Sequence, residues 1–165
     1  MNTPVAVRYP RGSGLGVDCS EELHSLPLGK AEVLREGSDV CFWAIGSMVD
    51  SALQAADVLL EQGIKAGVVN MRCAKPLDRE LLIEHAQRYG KLVTLEEGVL
   101  QGGVGSAVLE ALNDAKLLTS CKVVNLGIGD QFVLHGDKKR LFQDLGLDVA
   151  SIVKRTVALV KDEEI

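Results

Sequence analysis

Aromatic residues are scarce in this chain, only 4% of its 165 positions, so its core must be built from Ala, Val, Leu and Ile. Positive charge is also short. Against 23 Asp and Glu stand 18 Lys and Arg, a formal net charge of -5. That balance argues against non-specific nucleic-acid binding, which needs a positive surface. No apolar run reaches the roughly 18–20 residues of a membrane span, and the first residues lack the apolar core of a signal peptide. The expected setting is cytoplasmic, without a nucleic-acid or membrane partner. The four cysteines, Cys19, Cys41, Cys73 and Cys121, form no C-x-x-C pair and lie at long, irregular intervals. Neither a structural zinc site nor a disulfide framework fits that spacing. Cys41, inside VCFWAI, reads as a reduced, buried small hydrophobe.

With 47% hydrophobic and 25% charged residues, the composition is that of a soluble globular protein. Its length suits one domain. Residues 13–28, SGLGVDCSEELHSLPL, mix Gly, Ser, Pro and acids without a period and read as a connecting segment. Regular alternation begins near residue 29. GKAEVLREG fits a short strand, and DVCFWAI is a continuous apolar run that fits a strand buried on both faces. Ser47 stands where a helix cap is expected, before a stripe of Met48, Ala52, Ala55, Ala56, Leu59 and Leu60 that Gly63 ends. AGVVNM is the next strand. Asp78 caps a helix with Leu81, Leu82, His85 and Ala86 on its inner face. KLVTLE is a strand, EGVLQGG a loop, and Val104, Ala107, Val108, Ala111, Leu112 and Ala115 form the clearest helical stripe. KVVNLGI is the last strand, GDQFVLHG a loop, and two helices follow, with stripes of Leu141, Phe142 and Leu145, then Val149, Ile152, Val153 and Val160. Strands alternating with helices imply a three-layer α/β/α domain with a mostly parallel sheet.

In such a sheet ligands gather beyond the carboxyl ends of the strands. Those ends carry Gly46-Ser47, Arg72 to Lys75, Glu96-Glu97 and Gly127 to Asp130, with His135 nearby. Glu96, Glu97, Asp130 and His135 could form a general acid/base set. Alternatively these charges pair with Arg72 and Lys75, or with a partner subunit. The QGGVGSAV run at 101–108 sets glycines before a helix, where backbone N–H groups can take an anion. It is neither a dinucleotide fingerprint nor a phosphate-binding P-loop, and close packing of the helix end explains the glycines equally well. His24 and His85 read as partly exposed, hydrogen-bonded side chains, and His135 in VLHGD is the histidine to test. In RYPRG, residues 8–12, two guanidiniums on a Pro-stiffened turn can fork onto phosphate or carboxylate oxygens. A pair of surface arginines in a turn is the plainer alternative.

AVRYPRG, LGKAEVLREGSDV, AIGSMVDSAL, VVNMRCAKPLD, VTLEEGVLQGGVGSAVLE and LGIGDQFVLHGD, in this order along nearly the whole chain, resemble the final part of the 1-deoxy-D-xylulose-5-phosphate synthase family. These enzymes are thiamine-diphosphate-dependent relatives of transketolase. KPLD after a strand and EE-x5-GG-x-GS are shared more widely, including with β-subunits of 2-oxo-acid dehydrogenases, whereas RYPRG and GD-x-F-x3-HG favour the synthases. The resemblance implies a transketolase C-terminal domain fold of about five strands, one of them antiparallel. It makes residues 1–12 the tail of an upstream pyrimidine-binding domain, 13–28 an interdomain linker and 29–165 the C-terminal domain.

It also implies an enzyme that condenses pyruvate with glyceraldehyde 3-phosphate, releasing carbon dioxide, and that works as a homodimer. Thiamine diphosphate and Mg2+ would be held by upstream domains, and the G-D-G motif and activating glutamate that serve them are absent here. The chain by itself is then expected to bind no cofactor and to be catalytically silent. Arg8 inherits a place at the triose phosphate, and Arg11 is a weaker carry-over. Two departures from the family pattern stand out. Cys73-Ala74 replaces Phe-Val before Lys75-Pro76-Leu77-Asp78, and Gly129 replaces a common proline. The competing readings are the equivalent domain of a dehydrogenase β-subunit and a free-standing flavodoxin-like binding module.

Overall fold

A computed structural model describes residues 3–9, 14, 16, 22 and 24–163. Its elements run β1 (Glu32–Arg35), β2 (Val40–Ala44), α1 (Met48–Glu61), β3 (Ala66–Asn70), α2 (Arg79–Tyr89), β4 (Lys91–Val99), α3 (Val104–Asp114), β5 (Lys122–Ile128), α4 (Lys138–Asp144) and α5 (Val149–Lys161). They build a five-stranded sheet in the order β1-β3-β2-β4-β5. β1 pairs antiparallel with β3, and the other pairs are parallel. The expected fold class, with its single antiparallel strand, is the one observed.

The continuous apolar run of β2 follows from its central place. Its alternate side chains point to opposite faces. Val40, Phe42 and Ala44 pack with α1 and α5, while Cys41 and Trp43 pack with α2 and α3. All five are fully buried. Helix α2 is fixed at its start by Asp78, whose carboxylate accepts from Leu81 N–H at 3.3 Å and from Ala31 N–H at 3.0 Å. One side chain thus caps the helix and ties the entry of β1 to it. At its end Gly90 takes a left-handed φ of 64°, a geometry that a Cβ would strain.

Several local expectations are corrected. Leu60, placed on the inner stripe of α1, is 56% exposed. It lies at the margin of the stripe and lines a cleft beside Arg35 and Lys65 instead. Ser47 precedes α1, but its side chain does not cap the helix. Its hydroxyl faces Lys138 instead. Strand β4 continues through Glu97 and Gly98 to Val99, with a register shift between Leu95 and Val99. The polar EEG stretch stays in the strand because Val99 pairs with Ile128 and Leu100 N–H donates to the Ile128 carbonyl at 2.8 Å.

His85 is not partly exposed. It is 1% exposed, with Nδ1 3.5 Å from Cys41 Sγ and its ring edge-on to Trp43 and Tyr89. Burial lowers its pKa below the ordinary value, so the ring is held neutral. Protonation therefore favours the unfolded chain. The contribution of His85 to stability is complete above its unfolded pKa of about 6.5 and is lost as pH falls below it. Urea unfolding between pH 7.5 and 5.5 should show stability falling more steeply in the native chain than in His85→Gln. Equal slopes would contradict a buried neutral histidine.

Candidate functional site at the carboxyl ends of the strands

The sheet order reverses between β2 and β4. The chain leaves β2 toward β3 on one side, then crosses back to β4 on the other. The loops after β2 and β4 run to helices on opposite faces, which opens a crevice at their carboxyl ends. Ser47 follows β2, and Glu96 and Glu97 lie near the carboxyl end of β4.

The two glutamates have separate tasks. Glu96 is 4% exposed and turns into the protein. Its Oε2 accepts from Val104 N–H at 3.0 Å and its Oε1 from Gly105 N–H at 2.8 Å. A carboxylate on the first N–H groups of a helix satisfies donors that have no intrahelical partner and meets the positive end of the helix dipole. The glycines serve this contact. A Cβ on Gly103 would collide with the Val99 carbonyl and, at 2.6 Å, with Glu96 Oε2, and one on Gly105 would come within 2.8 Å of Asn125. The glycine-rich turn therefore holds the chain's own carboxylate, and close packing is the right reading of 101–108. A cofactor diphosphate does not fit there, since its place is taken.

Glu97 faces the crevice. Its side chain is 17% exposed and its Oε1 lies 2.8 Å from Lys138 Nζ. Lys138 Nζ also donates to Ser47 Oγ at 3.3 Å and sits 5.0 Å above the Phe142 ring. Partial burial works to raise the Glu97 pKa, but hydrogen bonds from Lys138 and Ser47 and the charges of Lys138 and Arg8 outweigh it and hold the carboxyl below its ordinary value. Beside this pair is a cavity of about 300 Å³ whose lining includes Arg8, Glu97, Val133, Lys138 and Phe142.

Arg8 is exposed at this cavity, while Arg11 lies outside the described residues. Asp130 and His135 are both exposed on the loop after β5. No group of acidic, histidine or cysteine side chains among the described residues could hold a metal ion. The acid/base set is thus not assembled, and the pairing reading is corrected in its partners. Arg72 pairs with Glu32 at 2.6 Å, Glu97 with Lys138, and Lys75 is exposed. His24 is exposed, 3.8 Å from Glu22. Cys19 lies outside the described residues, and Cys41, Cys73 and Cys121 are free thiols. Lys138 was not singled out by sequence. It is one of three consecutive basic residues, Lys138, Lys139 and Arg140, and only tertiary placement distinguishes it.

Residues 29–152 match the family described as transketolase, C-terminal domain. The chain belongs to this family. Among curated relatives, 1-deoxy-D-xylulose-5-phosphate synthase of Acaryochloris marina is 52% identical over 161 residues, covering 97% of this chain and 25% of that protein. The enzyme of the same name from Thermomicrobium roseum is 51% identical over 157 residues, 95% of this chain and 25% of that protein. The chain thus spans about a quarter of the length of the curated relatives it matches. Among solved structures, a split-gene transketolase described as an inactive β4 tetramer aligns with a TM-score of 0.75 and 38% identity, covering 84% of this chain and 45% of that one. Transketolase of Campylobacter jejuni, at 23% identity and a TM-score of 0.57, covers 79% of this chain and 18% of that one and shares the fold. Among the described residues no helix is long and apolar enough to cross a membrane.

The split between the glutamates gives a stability test. Glu96→Ala leaves two N–H groups of α3 without their acceptor and should cost about 1.5–3 kcal/mol. Glu97→Ala removes a partly exposed ion pair and should cost about 1 kcal/mol or less. Urea denaturation of the two variants measures the difference, and equal losses would contradict it.

Proposed function

We propose that this chain is the C-terminal domain of a 1-deoxy-D-xylulose-5-phosphate synthase. The observation that carries the reading is identity of about half over nearly the whole chain to proteins of that name. The enzyme condenses pyruvate with glyceraldehyde 3-phosphate and releases carbon dioxide. It uses thiamine diphosphate and Mg2+, and works as a cytoplasmic homodimer. The bound thiamine supplies the carbanion chemistry of the decarboxylation and condensation. The start of α3 lends the cofactor's diphosphate no ligand, because Glu96 fills that helix terminus.

The family match beginning at residue 29 supports a division into a domain over 29–165, a linker over 13–28 and the tail of an upstream pyrimidine-binding domain over 1–12. Within this reading the domain buttresses the upstream domains and the dimer, and Arg8 grips the phosphate of the triose, with Arg11 steadying the turn. Likeness to a split-gene transketolase chain favours, as a second reading, the same domain in another transketolase-type subunit. The chain alone should then form no deoxyxylulose phosphate, while the same chain continuous with its upstream domains should. Measurable turnover by the isolated chain would overturn the proposal. In the continuous enzyme, Arg8→Ala should lose about 1.5–3 kcal/mol of transition-state binding, the scale of a charge-assisted contact. The loss should be read in kcat/KM for glyceraldehyde 3-phosphate. An unchanged value would remove Arg8 from the phosphate.

A further inference from the structure

The crevice pair has a feature that packing alone does not require. Glu97 is an acidic group at the end of a central strand, already fixed by Lys138 at 2.8 Å and set beside Ser47. A pinned carboxylate has little rotamer freedom left to lose when it meets a further cation. Across the same 300 Å³ cavity stands Arg8, which makes no direct ion pair among the described residues. The guanidinium carries five donors in a planar fork, so one edge can face a carboxylate while the other stays open to a phosphate.

We propose that Glu97, held by Lys138 and Ser47, is a positioning residue for Arg8: across the strand-end cavity it orients one edge of the guanidinium and leaves the other edge for a phosphate monoester. The pairing rests on the cavity that Arg8 and Glu97 line together, and its consequence for the substrate rests on the function proposed above. The charged groups that face Glu97 are Lys138, from the start of α4, and Arg8, from the N-terminal segment. Both favour its ionised form. The C-terminal domain then does more than buttress its neighbours, because it sets the aim of the arginine that reads the substrate.

Two experiments separate this proposal from the function on which its consequence rests. The first uses the chain itself and follows the carboxyl carbon of Glu97 through an acid titration by NMR. Removing Arg8 with Arg8→Ala should raise the titration midpoint of Glu97, and Lys138→Met should raise it further. A midpoint unmoved by Arg8→Ala overturns the pairing, whatever the variant does to catalysis.

The second uses the enzyme continuous with its upstream domains. Glu97→Gln keeps the size of the side chain but removes its charge. It should raise KM for glyceraldehyde 3-phosphate roughly two- to five-fold, the scale of a solvent-screened charge interaction. KM for pyruvate, which carries no phosphate, and kcat should hold, and Glu97→Asp should recover part of the loss. Equal changes for both substrates, or no change in an enzyme that Arg8→Ala impairs, overturn the positioning role. If Arg8→Ala leaves KM untouched while the Glu97 midpoint still moves, the pairing stands and the assignment of Arg8 to the phosphate falls.

Discussion

Near the end of β4, the Glu96 side chain reaches the first turn of α3 and accepts hydrogen bonds from Val104 and Gly105. The rest of the strand-end region depends on that contact. It requires glycine at 103 and 105, since side chains there would meet Val99, Glu96 and Asn125. It accompanies the register shift between Leu95 and Val99, after which β4 pairs with β5 again at Ile128. It also turns the adjacent Glu97 outward into the crevice, because successive strand side chains point to opposite faces. One buried carboxylate thereby sets the helix start, the strand irregularity and the orientation of the crevice acid.

The same contact decides what the crevice can do. Open parallel sheets commonly bind phosphorylated ligands on helix N-termini at the point where strand order reverses. Here the N-terminus after β4 is satisfied internally, and the described residues hold no metal-binding cluster. What the crevice offers is a small cavity beside the Glu97–Lys138 pair, lined also by Arg8. Such a site suits the steering of one side chain better than the capture of a cofactor. That fits a domain amounting to about a quarter of its curated relatives.

Much of the fold was legible in the sequence because β2 is apolar on both faces and the stripes of α1, α3 and α5 keep their period. Asp78 and Gly90 mark the ends of α2 in residue types that the geometry requires. Other features were hidden for physical reasons. Leu60 satisfies the helical period yet falls at the edge of the buried stripe, a difference that depends on how α1 is rotated against the sheet. His85 is polar by type, but its place against Trp43 comes from the packing of α2 on β2, elements distant in sequence. Glu96 and Glu97 are identical letters side by side, and only the pleat assigns one to the helix and the other to the crevice. Lys138 meets Glu97 across 40 intervening positions, with no local pattern to announce it.

The chain's own carboxylate occupies the helix terminus at which a diphosphate could otherwise bind. The most direct measurement is an amide NMR titration of the chain with thiamine diphosphate and Mg2+, following Val104 and Gly105. Both signals should stay where they are at every ligand concentration. A saturable shift of these two amides would show that the turn receives the ligand, and would contradict the assignment of Glu96.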